Sequence, residues 1–231
     1  MKAHLLTIIL TIGGLITTNA QTSIQTSTLT SFGLEAGTSS ISTNFGYRAG
    51  KINTGSGNTF IGFSTGQSNT ASGYNTFIGA YTGQGNPGSN NCIMGANSSA
   101  GGSYNVLVGT ECSTSGSNNT LLGNQSKASG SRNVVIGNNA GYISSGDDKL
   151  IIDNTSTSTP LIWGDFALDQ LKLNGKVGVG GVITFPINAA GVNVSTYKLF
   201  VNGGILAKEV RVATTWADYV FKDDYILTPL S

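Results

Sequence analysis

Histidine is almost missing from this chain of 231 residues: the only one, His4, stands in the first few positions. Everything after it lacks the residue on which Ser-His triads and His-ligated metal sites are built. Charged side chains are scarce, at 10% of the sequence, and 12 basic residues face 11 acidic ones. Strong attraction to nucleic acid or to anionic membranes is therefore not expected. Cysteine occurs twice, as Cys92 and Cys112, too few for a zinc site without histidine. After the first twenty residues no apolar run is long enough to span a bilayer as a helix.

Those first twenty residues read as a secretory signal. Lys2 and His4 form a short polar start, residues 5–16 an apolar run, and Thr18-Asn-Ala20 a small-residue cleavage site before Gln21. No cysteine follows that site, so lipid anchoring there is not expected. Removing Lys2 leaves 11 basic residues (12 minus 1) against 11 acidic ones, and a net charge near zero. The expected location is extracellular or on the outer cell surface.

What the chain has in abundance is glycine, 33 residues of it, with serine, threonine and asparagine. This composition suits short strands and tight turns. Disorder is disfavoured because aliphatic residues recur periodically. One phrase appears six times: Asn58-Thr-Phe-Ile-Gly62, Asn75-Thr-Phe-Ile-Gly79, Asn91-Cys-Ile-Met-Gly95, Asn105-Val-Leu-Val-Gly109, Asn119-Thr-Leu-Leu-Gly123 and Asn133-Val-Val-Ile-Gly137. Successive copies lie 17, 16, 14, 14 and 14 residues apart. A short, nearly fixed period predicts a coil stacked on itself, an all-β parallel roll or solenoid.

Within each phrase side chains alternate in direction. The second position (Thr59, Thr76, Cys92, Val106, Thr120, Val134) and the fourth (Ile61, Ile78, Met94, Val108, Leu122, Ile136) suit a narrow interior. The third position (Phe60, Phe77, Ile93, Leu107, Leu121, Val135) then faces outward. Its apolar character predicts cover from a neighbouring subunit, an oligomer interface. Asn58, Asn75, Asn91, Asn105, Asn119 and Asn133 are candidates for a hydrogen-bonded ladder between coils, or for a simple turn preference. Gly62, Gly79, Gly95, Gly109, Gly123 and Gly137 mark the corners. Cys92 and Cys112 fall at different places in the coil, so small buried side chains are expected there rather than a disulfide.

Residues 21–30 read as a polar leader and 31–148 as the roll, beginning with degenerate copies at Ser31-Phe-Gly-Leu-Glu-Ala-Gly37 and Asn44-Phe-Gly-Tyr-Arg-Ala-Gly50. Residues 149–186 predict a β-rich connector that continues the shaft. In 187–231, Tyr197-Lys-Leu-Phe-Val-Asn-Gly-Gly204 and the segment after it predict a hairpin. An aromatic cap around Trp216-Ala-Asp-Tyr-Val-Phe221 follows.

The Asn-x-x-Ile-Gly phrase, with Lys127-Ala-Ser-Gly130 closing the return, resembles the head repeats of trimeric autotransporter adhesins over residues 31–148. That resemblance implies a left-handed parallel β-roll with short coils, packed as an intertwined homotrimer that binds glycan, matrix or cell-surface ligands. The stretch Leu150-Ile-Ile-Asp-Asn-Thr-Ser-Thr-Ser-Thr-Pro-Leu-Ile-Trp-Gly-Asp-Phe166 resembles a connector of phage-tail-fibre-like bacterial surface proteins. The segment from Tyr197 to Phe221 is similar to a recurrent ending of such proteins. The sequence shows none of the membrane anchor, coiled-coil stalk or self-cleaving domain of those families, and so suggests a shortened relative.

The function expected is a secreted or surface-exposed structural and adhesive fibre module, non-catalytic and without cofactor or metal, acting by multivalency. A phage-derived tail-fibre fragment is the alternative, against which the export signal argues. A polysaccharide-active β-helix would have only Asp147, Asp148, Asp153 and Asp165 as candidate carboxylates, at spacings that match no calcium loop. An ice- or mineral-binding roll would need regular threonine rows, and the threonines here are irregular.

Overall fold

The computed structural model describes residues 22–23, 30–37, 41–70, 72–84, 87–141, 146–181, 185–189 and 191–209. The expected signal segment and the aromatic cap lie outside them. The chain forms two compact units, one ending at Gly175 and a second from Lys176 onward.

The first unit is a parallel β-solenoid. Its strands are β1 (Thr22–Ser23), β2 (Thr30–Phe32), β3 (Ser42–Phe45), β4 (Asn58–Ile61), β5 (Thr76–Ile78), β6 (Cys92–Met94), β7 (Ser99–Ala100), β8 (Val106–Val108), β9 (Ser113–Thr114), β10 (Thr120–Leu122), β11 (Lys127–Ala128), β12 (Val134–Ile136), β13 (Lys149–Ile152), β14 (Ile162–Asp165) and β15 (Gln170–Leu173). One long sheet runs β1-β2-β3-β4-β5-β6-β8-β10-β12-β13-β14-β15. From β2 to β13 every pairing is parallel and in register, so each phrase sits on its counterpart in the next coil. β7, β9 and β11 form a short second wall, also parallel. Within the polar leader, Thr22–Ser23 pairs antiparallel with β2.

Coils are hydrogen-bonded to each other at the corners as well as along the strands. Gly95 N–H donates to Ile78 O at 2.8 Å, and Gly109 N–H to Met94 O at 2.9 Å. The corner glycines adopt φ near +140° and stack so closely that a Cβ on Gly95 would lie 2.0 Å from the carbonyl oxygen of Gly109. Two residues past each corner the chain visits the left-handed region again, at Glu35, Arg48, Ser64, Tyr81, Asn97, Glu111, Gln125 and Asn139. These residues carry side chains, and in each coil they close the turn.

The interior has three columns. The first holds the six phrase asparagines, all buried. The second is the third position of the phrase: Phe60, Phe77, Ile93, Leu107, Leu121 and Val135, each with 0% exposure. Phe60 and Phe77 stack with centroids 5.3 Å apart. The third column, three residues past the corner, is uniformly small: Ala49, Thr65, Thr82, Ser98, Cys112, Ser126 and Ala140, all fully buried. Ser98 Oγ donates to Gly109 O at 2.7 Å, and Thr65 and Thr82 make the equivalent bond to Gly79 and Gly95.

This reverses the facing expected from the sequence. The third-position residues Phe60, Phe77, Ile93, Leu107, Leu121 and Val135 are the core of one chain and present no surface to a neighbour. The first and third positions share a parity, so an inward asparagine carries the third position inward with it. The second and fourth positions face outward.

Each coil of 16 or 17 residues carries glycine four residues past its corner, Gly50, Gly66, Gly83 and Gly141, whether its core residue is Asn44, Phe60, Phe77 or Val135. A Cβ on Gly83 would fall 2.3 Å from the Phe77 ring. Two of these coils take up another inward asparagine, Asn53 and Asn69. Asn69 Nδ2 and Asn58 Nδ2 both donate to Asn53 Oδ1, at 3.1 and 3.2 Å.

At the amino end the core column turns polar. Asn44 Nδ2 donates to Ser31 Oγ at 3.1 Å and to Gly37 O at 3.0 Å. At the other end Ile151 completes the column, Trp163 packs against it, and the chain reverses: β14 and β15 are antiparallel. The connector thus continues the coil for one strand and then becomes a meander.

In the second unit β16 (Val177–Val179) pairs in parallel with β19 (Leu199–Val201), while β17 (Asn188–Ala189) and β18 (Val192–Asn193) form a small antiparallel pair. Of the hairpin expected after Tyr197, residues 210–212 lie outside the described residues. Its first strand is β19, whose partner is β16, and no strand forms over 205–209. Lys176 Nζ lies 6.0 and 5.5 Å from the ring centroids of Phe185 and Phe200.

Three substitutions test this packing by thermal or denaturant unfolding. Leu107→Ala empties a fully buried site and should cost about 2–5 kcal/mol, whereas exposed Thr110→Ala, outside the outer row, should cost under about 1 kcal/mol. Gly109→Ala, strained in φ and in collision with Gly123 O at 2.3 Å, should cost at least about 3 kcal/mol.

Candidate interaction surface

The asparagine column is a continuous ladder. Each Oδ1 accepts the backbone N–H of the asparagine one coil on: Asn75 from Asn91, Asn91 from Asn105, Asn105 from Asn119 and Asn119 from Asn133, at 2.8–2.9 Å. It extends to Asn58, which accepts from Asn75, and to Asn133, which accepts from Lys149 N–H. Side-chain amides pair directly in the 14-residue coils, Asn105 Nδ2 to Asn91 Oδ1 at 3.0 Å and Asn119 Nδ2 to Asn105 Oδ1 at 3.1 Å. The Nδ2 groups of Asn91, Asn105 and Asn119 donate across the coil to the Gly102, Gly116 and Gly130 carbonyls. Among the described residues Asn75 Nδ2 is a buried donor with no acceptor. The ladder is enclosed and the corner glycines are half-buried, so they position the surface more than they form it.

The surface itself is the outer face of the long sheet. Strand register aligns Phe32, Phe45, Ile61, Ile78, Met94, Val108, Leu122, Ile136 and Ile152 in one row. At a strand spacing of about 4.8 Å, nine rungs run for about 40 Å. Phe45 is 54% exposed, Met94 42% and Leu122 48%. The adjacent second-position row mixes Thr43, Thr59, Thr76, Cys92, Val106, Thr120 and Val134. Beyond the corner glycines, Tyr47 stacks on Phe63 at 5.0 Å, and Phe63 meets Tyr81 edge-on at 5.2 Å. On the near side Phe32 stacks on Phe45 at 5.2 Å. The row after the corner loses this character along the axis: Leu34, Tyr47 and Phe63 give way to Thr110, Asn124 and Asn138, with Asn124 Nδ2 donating to Asn138 Oδ1 at 3.2 Å.

Charged groups decorate the edges as ion pairs between neighbouring coils. Glu35 takes both Lys51 Nζ at 2.6 Å and Arg48 Nε at 2.9 Å, which together hold its carboxyl below the ordinary range. Of the acids considered above as catalytic or calcium-binding, Asp147 and Asp148 face Arg132, and Asp148 is lowered by that hydrogen bond. Asp153 accepts Thr155 Oγ1 at 2.6 Å and Leu161 N–H at 2.7 Å. Asp165, nearly fully buried, accepts Lys149 Nζ at 2.6 Å and the N–H groups of Ala167 and Leu168. Among the described residues no three His, Cys, Asp or Glu side chains are grouped to hold a metal. Cys92 lies half-buried on the outer face and Cys112 in the core, both as free thiols. No described helix is long and apolar enough to cross a membrane.

Sequence reasoning missed the outer row, and the signal for it was present. Threonine stands at the second position in three of six phrases, while the third position is never polar. No family model matches the chain, and comparison with curated proteins and with solved structures likewise found no match.

The Lys149 ammonium holds the Asp165 carboxyl below its ordinary value of 3.8. The unfolded chain therefore takes up a proton there before the folded one does. The stabilisation is complete above that value and is lost as pH falls through the folded pKa. Asp165→Asn should lower the melting temperature at neutral pH, and its gap from the parent should close as the buffer is taken below pH 3.8.

Proposed function

We propose that the chain is a secreted or surface-exposed, non-catalytic fibre module whose rolls associate as a homotrimer along the outer row and bind adhesively by repetition. The observation that carries this reading is the row from Phe32 to Ile152, apolar at every rung. Water left against such a stripe is costly, and contiguous apolar surface of several hundred Å² usually marks an interface. The face that meets the neighbour is thus the fourth position with the second, in place of the third. Parallel strands covered on one side only are uncommon, which adds to the argument.

Three further features support it. The roll is pinned at each coil by hydrogen bonds, so it presents its rows rigidly and at fixed spacing. Ligand sites repeated at that spacing, and again on each protomer, gain affinity by multivalency. The Asn-x-x-Ile-Gly phrase resembles adhesin head repeats, and residues 1–20 resemble an export signal. The ligands in view are glycans, matrix proteins or cell-surface molecules.

Sedimentation or light scattering of the chain at micromolar concentration tests the assembly. A trimer is expected, and Met94→Glu with Leu122→Glu should give monomers whose circular dichroism is unchanged. A monomeric parent, or a trimer indifferent to both substitutions, would sink the reading. Binding to glycan and matrix-protein arrays tests adhesion.

A further inference from the structure

A second feature of the first unit lies apart from the roll's outer row, in the meander that closes it. The turn between β13 and β14, together with β14, β15 and the residue after it, encloses a cleft of about 140 Å³. Ser158, Thr159, Pro160, Trp163, Lys172 and Asn174 line it. Trp163 and Lys172 are directly opposed cross-strand partners. The indole is half-buried and packs against the end of the hydrophobic core, so it is a fixed wall.

The rest of the cleft is held in shape as well. Asp153 ties the turn at both ends: Oδ1 accepts the N–H of Thr155 at 2.8 Å and its hydroxyl at 2.6 Å, and Oδ2 accepts Leu161 N–H at 2.7 Å. Asn174 clamps the other side, donating Nδ2 to Pro160 O and its backbone N–H to Leu161 O. Thr159 N–H donates to Thr157 Oγ1 at 3.1 Å. A cleft braced in this way loses little freedom when it is filled.

The cleft carries one charged side chain, Lys172. Lys149 is neutralised by Asp165, Lys51 and Arg48 by Glu35, and Arg132 by Asp147 and Asp148. Lys172 has no carboxylate partner among the described residues, and the hydroxyl of Ser158 has no hydrogen-bond partner among them. The cleft therefore offers one flat apolar wall, one uncompensated cation and hydroxyl groups that both donate and accept. It has room for about four or five waters, which is the scale of a single sugar ring.

We infer that this cleft binds one hexuronate unit of an acidic glycan. The sugar's C–H face lies on Trp163, its carboxylate meets Lys172 and its ring hydroxyls meet Ser158 and Thr159. Neutral sugars would use the wall and leave the cation unmet. A small anion alone would use the cation and leave the wall bare. The site is complete within one chain, so it does not depend on the assembly proposed above.

The test uses the full chain carrying Trp216→Phe, which leaves Trp163 as the only indole. Its fluorescence is followed on titration with methyl glucuronide, methyl glucoside and acetate. A saturable change with a dissociation constant on the order of millimolar is expected for the glucuronide, at least about tenfold tighter than for the glucoside and weakening as salt is added. Lys172→Gln should abolish the tenfold preference, and Ser158→Ala should weaken the glucuronide about threefold, each with an unchanged melting temperature. No saturation by glucuronide up to about 50 mM overturns the inference. So does equal binding of glucoside, acetate that competes as well as glucuronide, or a Lys172→Gln chain that keeps the preference. A monomer that binds glucuronide would overturn the assembly and leave this inference standing; a trimer that does not would do the reverse.

Discussion

Each coil of this protein bonds to the next around its bends as well as along its strands, and that continuity governs almost everything else. A strand can lie on another strand whatever its side chains. A bend can lie on another bend only where no Cβ intervenes. The row Gly62, Gly79, Gly95, Gly109, Gly123 and Gly137 meets that demand, each glycine resting on the carbonyl of its successor at a distance no side chain would tolerate. With the bend fixed, the inward column beyond it has room only for Ala, Ser, Thr or Cys, and the hydroxyls there satisfy the carbonyls that the stacked bends bring inward. A composition rich in Gly, Ser, Thr and Asn is the composition this stacking requires.

The asparagines solve the matching problem on the other side of the coil. A narrow interior leaves backbone groups at the strand entry with no water and no strand partner, and such groups are costly unless they are bonded. An inward amide accepts from the coil above and donates across its own turn, so one residue type repeated at one place serves both needs. The longer coils place glycine after the small inward residue, at Gly50, Gly66, Gly83 and Gly141, against core residues as different as Asn44, Phe60 and Val135, and Asn53 and Asn69 add inward amides in two of them.

The existence of the coil and its period were legible, because glycine and asparagine recur at fixed places. The direction of the side chains was not. With the second, third and fourth positions all apolar in several phrases, alternation alone allows either face to be the core. The choice is made by the asparagine, which shares parity with the third position and is inward. Taken with the three threonines at the second position, that would have been enough. The cleft beside Trp163 was less accessible still. Its walls come from Thr159, Trp163 and Lys172, brought together by an antiparallel reversal that a sequence reading as one continuous shaft conceals.

The rule that builds the stack also ends it. After Ile152 the corner position holds Asp153, whose carbonyl already lies where a Cβ on Gly137 would come within 1.7 Å. Asp153 is the first corner residue to carry a side chain, and it has no positive φ. A further coil laid above it would meet that side chain. The chain instead turns the carboxylate onto the following loop, bonds Thr155 and Leu161, and comes back antiparallel as β14. One residue thus does two things: it denies the next coil its seat, and it shapes the turn that becomes a wall of the cleft. Where the parallel stack stops, the chain gains a braced, cation-bearing hollow, and both follow from a carboxylate standing in a glycine's place.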